Sequence, residues 1–285
     1  MDWIFYSLIA VCSLGVSMSL YKMPTFRGYS SLHSTFWTNL FSLIFSIIIF
    51  IIFAVSGDSI TNISFYGLLW GVFFALTMAQ QKVLLKRIET NTLLPITSSL
   101  GNILTVFLGI ILFSESISLL GYFAITLIII STFLYNRKDG GLVLDANSLT
   151  LGIGIIVTST ITKVIQKFGA THDSIVHFSF FQYLGASLCA LFLIYVFEKN
   201  SLKQIFDIRQ TCKMSLTISC FSTIGGYSLL KALSSGPLSG VYAIQPSYLI
   251  ITAIMGVILY KEKLTKYKIC LILLTILGVI LIKIR

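Results

Sequence analysis

The sequence predicts an all-α integral membrane protein, with ten transmembrane helices arranged as two inverted five-helix repeats. Three observations predict this fold class. Of the 285 residues, 56% are apolar and only 11% are charged, whereas a soluble domain has about 25% charged residues. The apolar residues form long runs, and a helix of about 20 such residues crosses a bilayer. One turn, with the helices on either side of it, also occurs twice along the chain.

Polar or helix-breaking segments divide the chain into ten apolar stretches. They include Lys22–Arg27, Ser56–Asp58, Arg137–Gly141 and Ser234–Pro237. Helices are expected because a lipid-exposed backbone must satisfy its own hydrogen bonds. The first stretch is interpreted as a span and not as a signal peptide, because Asp2 stands where a positive n-region would be. The predicted spans are 3–21, 34–56, 63–86, 92–113, 117–135, 148–168, 174–197, 214–233, 239–260 and 266–284.

The repeated turn contains Glu115 in its first copy and Glu262 in its second. At the same offset, Gly109 matches Gly256 and Ser98 matches Gln245, and both helix boundaries coincide. A second similarity between the two halves, at a slightly shorter offset, pairs Lys22 with Lys167 and Trp37 with Gln182. We therefore predict two repeats, residues 1–140 and 141–285. Five helices per repeat place the second repeat upside down in the membrane, as in many transporters.

The basic residues predict the orientation of the chain. Loops that follow the odd-numbered spans carry fifteen of the twenty Lys and Arg residues. Because basic loops stay in the cytoplasm, both termini are predicted to be extracytoplasmic. A reporter fused after Arg285 should therefore give an extracytoplasmic signal, and a cytoplasmic signal would reverse the assignment.

Charge and motif content exclude several classes of function. The net charge of +10 lies in loops between apolar spans, where it indicates topology and contact with anionic lipids and not with nucleic acid. The five cysteines are scattered and none has C-x-x-C spacing, so no disulfide framework or metal site is expected. No P-loop, nucleophile elbow or zinc signature occurs, and His33, His172 and His177 form no ligand pattern. No cofactor is expected, and the chain is not predicted to be an enzyme.

The stretch YAIQPSYLIITAIMGVILYKEKLTKYKICLILLTILGVILI resembles the closing motif of EamA-type transporters of the drug/metabolite transporter superfamily. SLGNILTVFLGIILFSESISLLGYFAITLIIISTFLY is a weaker copy that closes the first half. The resemblance implies alternating access to a central cavity built mainly by spans 1–4 and 6–9, with spans 5 and 10 peripheral. Several relatives place their termini in the cytoplasm, whereas the charge count places them outside here.

Polar groups inside the membrane are costly and therefore indicate function. No acid lies near the middle of a predicted span, which argues against carboxylate-driven exchange of cations. Lys163 and Lys231 could face the cavity and pair with a carboxylate or a phosphate. Alternatively, they and Lys82 could extend their ammonium groups to the interface. Glu115 and Glu262 follow the family motif, and interaction with the N-terminal dipole of the next helix is enough to explain them.

Neutral polar and aromatic residues complete the candidate site. Pro246 should break its helix and free a backbone carbonyl beside Gln245, and broken helices mark binding sites in transporters. Tyrosine rings, among them Tyr242, could stack on a substrate ring or hold a quaternary ammonium. The alternative is that the polar groups only join neighbouring helices. The predicted substrate-binding residues are Trp37, Asn39, Gln81, Ser98, Asn102, Lys163, Gln182, Tyr183, Tyr227, Lys231, Gln245 and Tyr248.

The predicted function is secondary transport of a small organic metabolite. A carboxylate or phosphate on the substrate is favoured by the lysines, and an aromatic body by the tyrosines. An intramembrane lipid-modifying enzyme and a non-transporting helical subunit are the alternatives. The expected partners are a small-molecule substrate and membrane lipids, and a homodimer is compatible with the sequence. The expected location is the cytoplasmic membrane of a prokaryote.

Overall fold

The computed structural model describes residues 2–26, 30–55, 64–85, 90–115, 118–135, 146–198, 209–260 and 266–283. Within these residues the chain is almost entirely helical, which confirms the predicted fold class. The helices are α1 Asp2–Phe26, α2 Ser31–Val55, α3 Phe65–Leu85, α4 Thr90–Phe113, α5 Leu119–Tyr135, α6 Ala146–His172, α7 Ile175–Phe197, α8 Arg209–Ser235, α9 Leu238–Ile244, α10 Tyr248–Tyr260 and α11 Lys266–Lys283. A 3₁₀ turn, Gln245–Ser247, joins α9 to α10, so these two form the ninth span.

Five described stretches are long and apolar enough to cross a bilayer: Asp2–Leu20, Leu32–Ile52, Thr150–His172, Ile175–Phe197 and Leu238–Leu259. Shorter apolar stretches lie at Phe65–Met78, Leu100–Phe113, Leu119–Ser131 and Ile269–Gly278. Large aliphatic side chains on the outside of the bundle are exposed, such as Ile48 and Ile52 on α2. Exposure of such side chains is favourable in lipid and unfavourable in water. The chain is therefore an integral membrane protein.

Two predicted boundaries are wrong by five residues, and the predicted breaks at Ser234–Pro237 and at Pro246 are confirmed. The interruption predicted at Lys22–Arg27 does not end α1, which continues to Phe26. A proline removes a single backbone hydrogen bond, and membrane helices tolerate this loss. The eighth span begins at Arg209, five residues before its predicted start at 214, because a polar first turn carries no hydropathy signal. Pro246 does break the ninth span, within the 3₁₀ turn.

Helix contacts follow the inverted repeat. We call two helices counterparts when they occupy the same place in the two repeats. The counterparts are α1 and α6, α2 and α7, α3 and α8, α4 and α9–α10, and α5 and α11. The contact between α1 and α8 is matched by that between α6 and α3, and α3–α7 is matched by α8–α2. Three counterpart pairs touch each other directly: α2 with α7, α4 with α9, and α5 with α11. The two repeats therefore pack mainly against each other. The predicted boundary between residues 140 and 141 lies outside the described residues and stays a prediction.

Small residues bring α3 and α7 into close contact. Gly67 and Gly71 are one turn apart on α3, and a Cβ at Gly71 would lie 2.5 Å from the amide nitrogen of Ala186. On the α7 side, a Cβ at Gly185 would lie 3.0 Å from the carbonyl oxygen of Leu68. Glycines four residues apart allow membrane helices to approach at the backbone, where dispersion contacts join them.

The two ends of the bundle are closed by different side chains. We call one end the Trp3 face: Trp3 packs there against the α8–α9 turn, where a Cβ at Gly236 would lie 2.6 Å from Trp3 Cγ. The opposite end, which carries Ser30 and Glu198, we call the Ser30 face. An apolar core extends inward from the Trp3 face and includes Phe178, Leu233 and Leu238, each with no exposed area.

Candidate functional site

A buried cation marks the middle of the bundle. Lys163 lies in the interior of α6, and its Nζ donates a hydrogen bond of 2.5 Å to Oδ1 of Asn102 on α4. The same nitrogen lies 5.3 Å from the centroid of the Tyr242 ring on α9. Asn102 and Tyr242 are only 3% and 1% exposed. The ammonium therefore ends among buried groups and does not extend to a membrane face.

Neutral polar groups surround Lys163. Gln166, one turn further along α6, accepts a 2.7 Å hydrogen bond through Oε1 from the Tyr242 hydroxyl. Thr160 donates a 3.4 Å hydrogen bond to the carbonyl oxygen of Gly101 on α4. Gly101 lies close to the cation, since a Cβ there would be in ordinary contact with Lys163 Nζ at 3.6 Å. The site thus joins α4 of the first repeat to α6 and α9 of the second.

Among the described residues, no acidic side chain forms an ion pair with Lys163. The acids that the structure describes, Asp2, Glu115, Asp173 and Glu198, all lie at helix ends. The described acids Glu115, Asp173 and Glu198 accept hydrogen bonds at membrane faces. A buried ammonium without a counter-ion is costly. Lys163 is therefore a candidate for contact with an anion that comes from outside the chain.

A second polar contact links α6 to α3 beside the Lys163 site. The hydroxyl of Thr77 donates to that of Thr158 at 2.9 Å, and Thr158 donates to Oε1 of Gln80 at 3.1 Å. Gly154 leaves space for Gln80, since a Cβ there would lie 3.1 Å from its Nε2. Gln81, which is in the predicted set, is partly buried beside Gln80. This contact fits the interpretation that neutral polar groups join neighbouring helices.

Buried polar residues line the side of α2 that points away from lipid. They follow helical spacing at Thr35, Asn39, Ser42 and Ser46, whereas Ile44, Ile48 and Ile51 are exposed on the opposite side. α8 has a similar series at Ser215, Ser219 and Thr223. Among the described residues, no hydrogen-bond partner is found for Asn39 Nδ2, Ser42 Oγ, Gln182 Oε1, Ser215 Oγ or Thr223 Oγ1. Unpaired polar atoms in a bundle interior suit water or a polar solute.

The other predicted residues lie at varied distances from this centre. Trp37 packs in an apolar cluster with Phe36, Ala190 and Ile194, between α2 and α7. The Tyr183 hydroxyl reaches from α7 to α8, where it donates at 3.4 Å to the carbonyl of Ser222. Of the predicted set, the structure brings only Lys163 and Asn102 into direct hydrogen-bond contact among the described residues.

Four more of the predicted residues are partly buried: Tyr227, Lys231, Gln245 and Tyr248. Gln245 opens the 3₁₀ turn that breaks the ninth span, and Tyr248 begins α10 directly after it. Tyr227 and Lys231 are one turn apart on α8. The side chain of Ser98 and all of Glu262 lie outside the described residues.

Several residues of the site were not in the predicted set. Gln166, Thr160 and Gly101 surround Lys163, and Tyr242 was noted only as one of several tyrosines. Helical spacing could have found two of them, since Thr160, Lys163 and Gln166 are three residues apart on one face of α6. Tyr242 gives a weaker signal, because an aromatic residue in an apolar run is most often a packing residue.

Glu115 binds a helix other than the predicted one. Its carboxylate accepts hydrogen bonds from the amides of Leu238 and Ser239 and from the Ser239 hydroxyl, the last two at 2.9 and 2.6 Å. It therefore caps α9 of the second repeat and not α5, which follows it in the chain. Lys167 binds the other side of the same turn, donating to the carbonyls of Leu233 and Gly236 at 2.7 Å each. Both side chains match the helix dipoles.

Comparison with known proteins finds a family that resembles the second half of the chain. The sequence pattern of the EamA-like transporter family matches residues 147–284. The second half of this chain is thus similar to the EamA-like transporter family. None of the curated proteins compared with the chain matches it.

Comparison with solved structures extends the fold similarity to the whole chain. One of them, titled only "Crystal structure of protein", aligns over 99% of this chain and 96% of its own, with a TM-score of 0.82 and 12% identity. At that identity the match shows the fold alone. It shows that both halves of the chain share the fold of that solved structure. The family pattern in residues 147–284 indicates a membrane transporter of the drug/metabolite type, in agreement with the sequence prediction.

Proposed function

We propose that this EamA-type protein is a secondary transporter of a small organic anion, which bears a carboxylate or a phosphate. Transport would proceed by alternating access through a central cavity between the two repeats. The single observation that supports this proposal is Lys163, a cation whose nearest polar partner is the neutral Asn102 side chain at 2.5 Å. An ammonium has three N–H donors, so a carboxylate could take up donors that Asn102 does not use.

The rest of the substrate would lie against the neutral groups around Lys163. The Tyr242 ring presents an apolar surface beside the cation. Gln245 and Tyr248, at the break of the ninth span, and Tyr183 and Tyr227 are the predicted residues that could contact the body of the solute. The proposed location is the cytoplasmic membrane of a prokaryote, with both termini outside. No specific observation favours the enzyme or subunit alternatives, and the family consists of transporters.

A thermal-stability screen of the detergent-purified protein tests the proposed charge of the substrate. The panel consists of matched solutes that differ only in one group, such as phenylacetate, phenylacetamide and phenethylamine, together with aliphatic carboxylates and phosphate monoesters. A ligand present at a hundredfold excess over its Kd stabilises the folded state by about 2.7 kcal/mol. We expect anionic solutes to raise the Tm and their neutral and cationic counterparts to have no effect.

Two variants make the screen specific for Lys163. Lys163→Met should lose the stabilisation by anions. Lys213→Met removes an exposed cation of α8 and should retain it. Stabilisation by the cationic solutes alone, or an equal response to anions in both variants, would contradict the proposed function.

A further inference from the structure

Acidic side chains form a pattern across the two repeats. Among the described residues the acids are Asp2, Glu115, Asp173 and Glu198, and all of them lie at helix ends. Three of the four bind the N-terminal end of a helix in the opposite repeat, and only Asp2 does not. The N-terminal end of a helix has unpaired amides and a positive dipole, so a carboxylate there is stabilising.

Glu115 forms such a contact on the Trp3 face. It follows α4 in the first repeat and binds the first two amides of α9 in the second. The Ser239 hydroxyl donates a further hydrogen bond of 2.6 Å to the same carboxylate. Gly109 leaves the space that the side chain needs, since a Cβ there would lie 2.8 Å from Glu115 Oε2.

Glu198 forms the corresponding contact on the Ser30 face. It ends α7 in the second repeat and accepts a 2.8 Å hydrogen bond from the Ser30 hydroxyl at the start of α2. The Ser30 oxygen in turn accepts hydrogen bonds from the amides of Leu32 and His33. His33 Nε2 lies 3.4 Å from the same Glu198 oxygen. Glu198 thus holds the first turn of a helix that belongs to the first repeat.

The two contacts are related by the architecture of the repeat. α4 and α9 are counterparts, and so are α7 and α2. Each carboxylate therefore joins a helix to its own counterpart, and the two contacts lie on opposite faces of the membrane. On the Trp3 face, Asp173 adds a contact of the same kind, because it accepts a hydrogen bond from Ser64, whose oxygen caps α3.

We infer that Glu115 and Glu198 are positioning residues that close the two gates of the transporter. Glu115 closes the Trp3 face and Glu198 closes the Ser30 face, and both are engaged in this structure. The inference rests on the proposed alternating access, because opening one face must separate counterpart helices at that face. Charge-assisted hydrogen bonds to helix ends are strong when formed and break completely when the helices part. They therefore favour two discrete arrangements of the bundle.

A single cysteine reporter tests both gates. In a background without Cys12, Cys189, Cys212, Cys220 and Cys270, Ser159→Cys places a thiol on α6 beside Gly101. A membrane-impermeant thiol reagent is then applied to vesicles of either orientation. Asp2→Cys, introduced alone into the same cysteine-free background, places a thiol at the Trp3 face. Its labelling shows whether the reagent reaches that face in a given vesicle preparation. The readout is the labelling rate from each face. Loss of a residue with a merely structural role would not change this rate from one face alone.

Removing either carboxylate should open one face only. Loss of charge-assisted hydrogen bonds shifts an equilibrium by about tenfold or more. We expect Glu115→Gln to raise the labelling rate about tenfold from the Trp3 face and not from the Ser30 face. Glu198→Gln should do the reverse. Asp2→Asn, the matched control, should leave both rates unchanged.

Milder variants cover the case in which a glutamine variant does not fold. Ser239→Ala removes one donor to Glu115, and Ser30→Ala removes one donor to Glu198, so each should give a smaller increase from the same face. Equal increases from both faces, or no change, would overturn the inference. The assay needs no substrate. Side-specific labelling without anion binding would overturn only the proposed function, and anion binding without side-specific labelling would overturn only the gates.

Discussion

Replacing Lys163 with methionine should abolish anion transport while the protein remains folded in the membrane. The variant removes the buried cation that we propose as the binding partner of the substrate. Truncating one member of a buried, hydrogen-bonded charge pair costs about 2–5 kcal/mol, which corresponds to a loss of roughly thirtyfold to several thousandfold in affinity. The measurement is uptake of a labelled anion, identified by the stability screen, into proteoliposomes that contain equal amounts of protein.

The fold should tolerate this change because Lys163 has a neutral partner. Removing it leaves one unpaired acceptor, Asn102 Oδ1, and no stranded carboxylate. Methionine fills similar apolar space and brings no charge into the bundle. Lys213→Met, on the exposed side of α8, is the control for the loss of one positive charge. Transport by the Lys163 variant at the rate of the control would show that Lys163 has no role in binding.

The sequence predicts the helices well because lipid imposes one rule on all of them. Each span must be apolar and long enough to cross the bilayer. The same rule explains the two boundaries that differ. Hydropathy indicates where a helix leaves the apolar region, but α1 continues past that point to Phe26, and α8 begins before it at Arg209. Pro246 was predictable because its chemistry acts locally on the backbone.

Side-chain contacts between helices are harder to predict, because they depend on which helices pack together. The repeat indicates that α4 and α9 are counterparts, yet a counterpart need not be a neighbour. Glu115 shows the difference. In sequence it precedes α5, and its effect on that helix was the simplest interpretation, but its carboxylate lies at the first turn of α9. The contact spans more than a hundred residues, and no local pattern signals it.

Polarity predicts the candidate binding residues, and it selects only part of the cluster around Lys163. It finds Lys163 and Asn102, which contact each other. It does not select Tyr242, whose ring faces the cation although the residue lies in an apolar run. Trp37, matched by the repeat to Gln182, is instead packed among apolar side chains between α2 and α7. Repeat symmetry relates positions on the backbone, and unlike side chains at those positions face different surroundings.

The largest effect on stability is expected at the glycine contact between α3 and α7. Gly71→Ala adds a Cβ that would lie 2.5 Å from Ala186 N, 2.7 Å from Gly185 C and 2.8 Å from Gln182 O. All three atoms belong to the backbone of α7, so no side chain can rotate away. Overpacking of this kind costs about 1–3 kcal/mol. Thermal unfolding in detergent should show a lower Tm than that of the unchanged protein.

Gly152→Ala on α6 is the matched control, and it should have the opposite sign. A Cβ there meets no atom within 4 Å, so only helix propensity changes, and alanine is favoured over glycine by about 1 kcal/mol. The same propensity gain accompanies Gly71→Ala, so a lower Tm at that position isolates the cost of separating two backbones. Equal shifts in the two variants would mean that the α3–α7 contact does not limit the stability of the bundle. Opposite shifts would show that the close approach of the two repeats, and not helix propensity, holds this interface together.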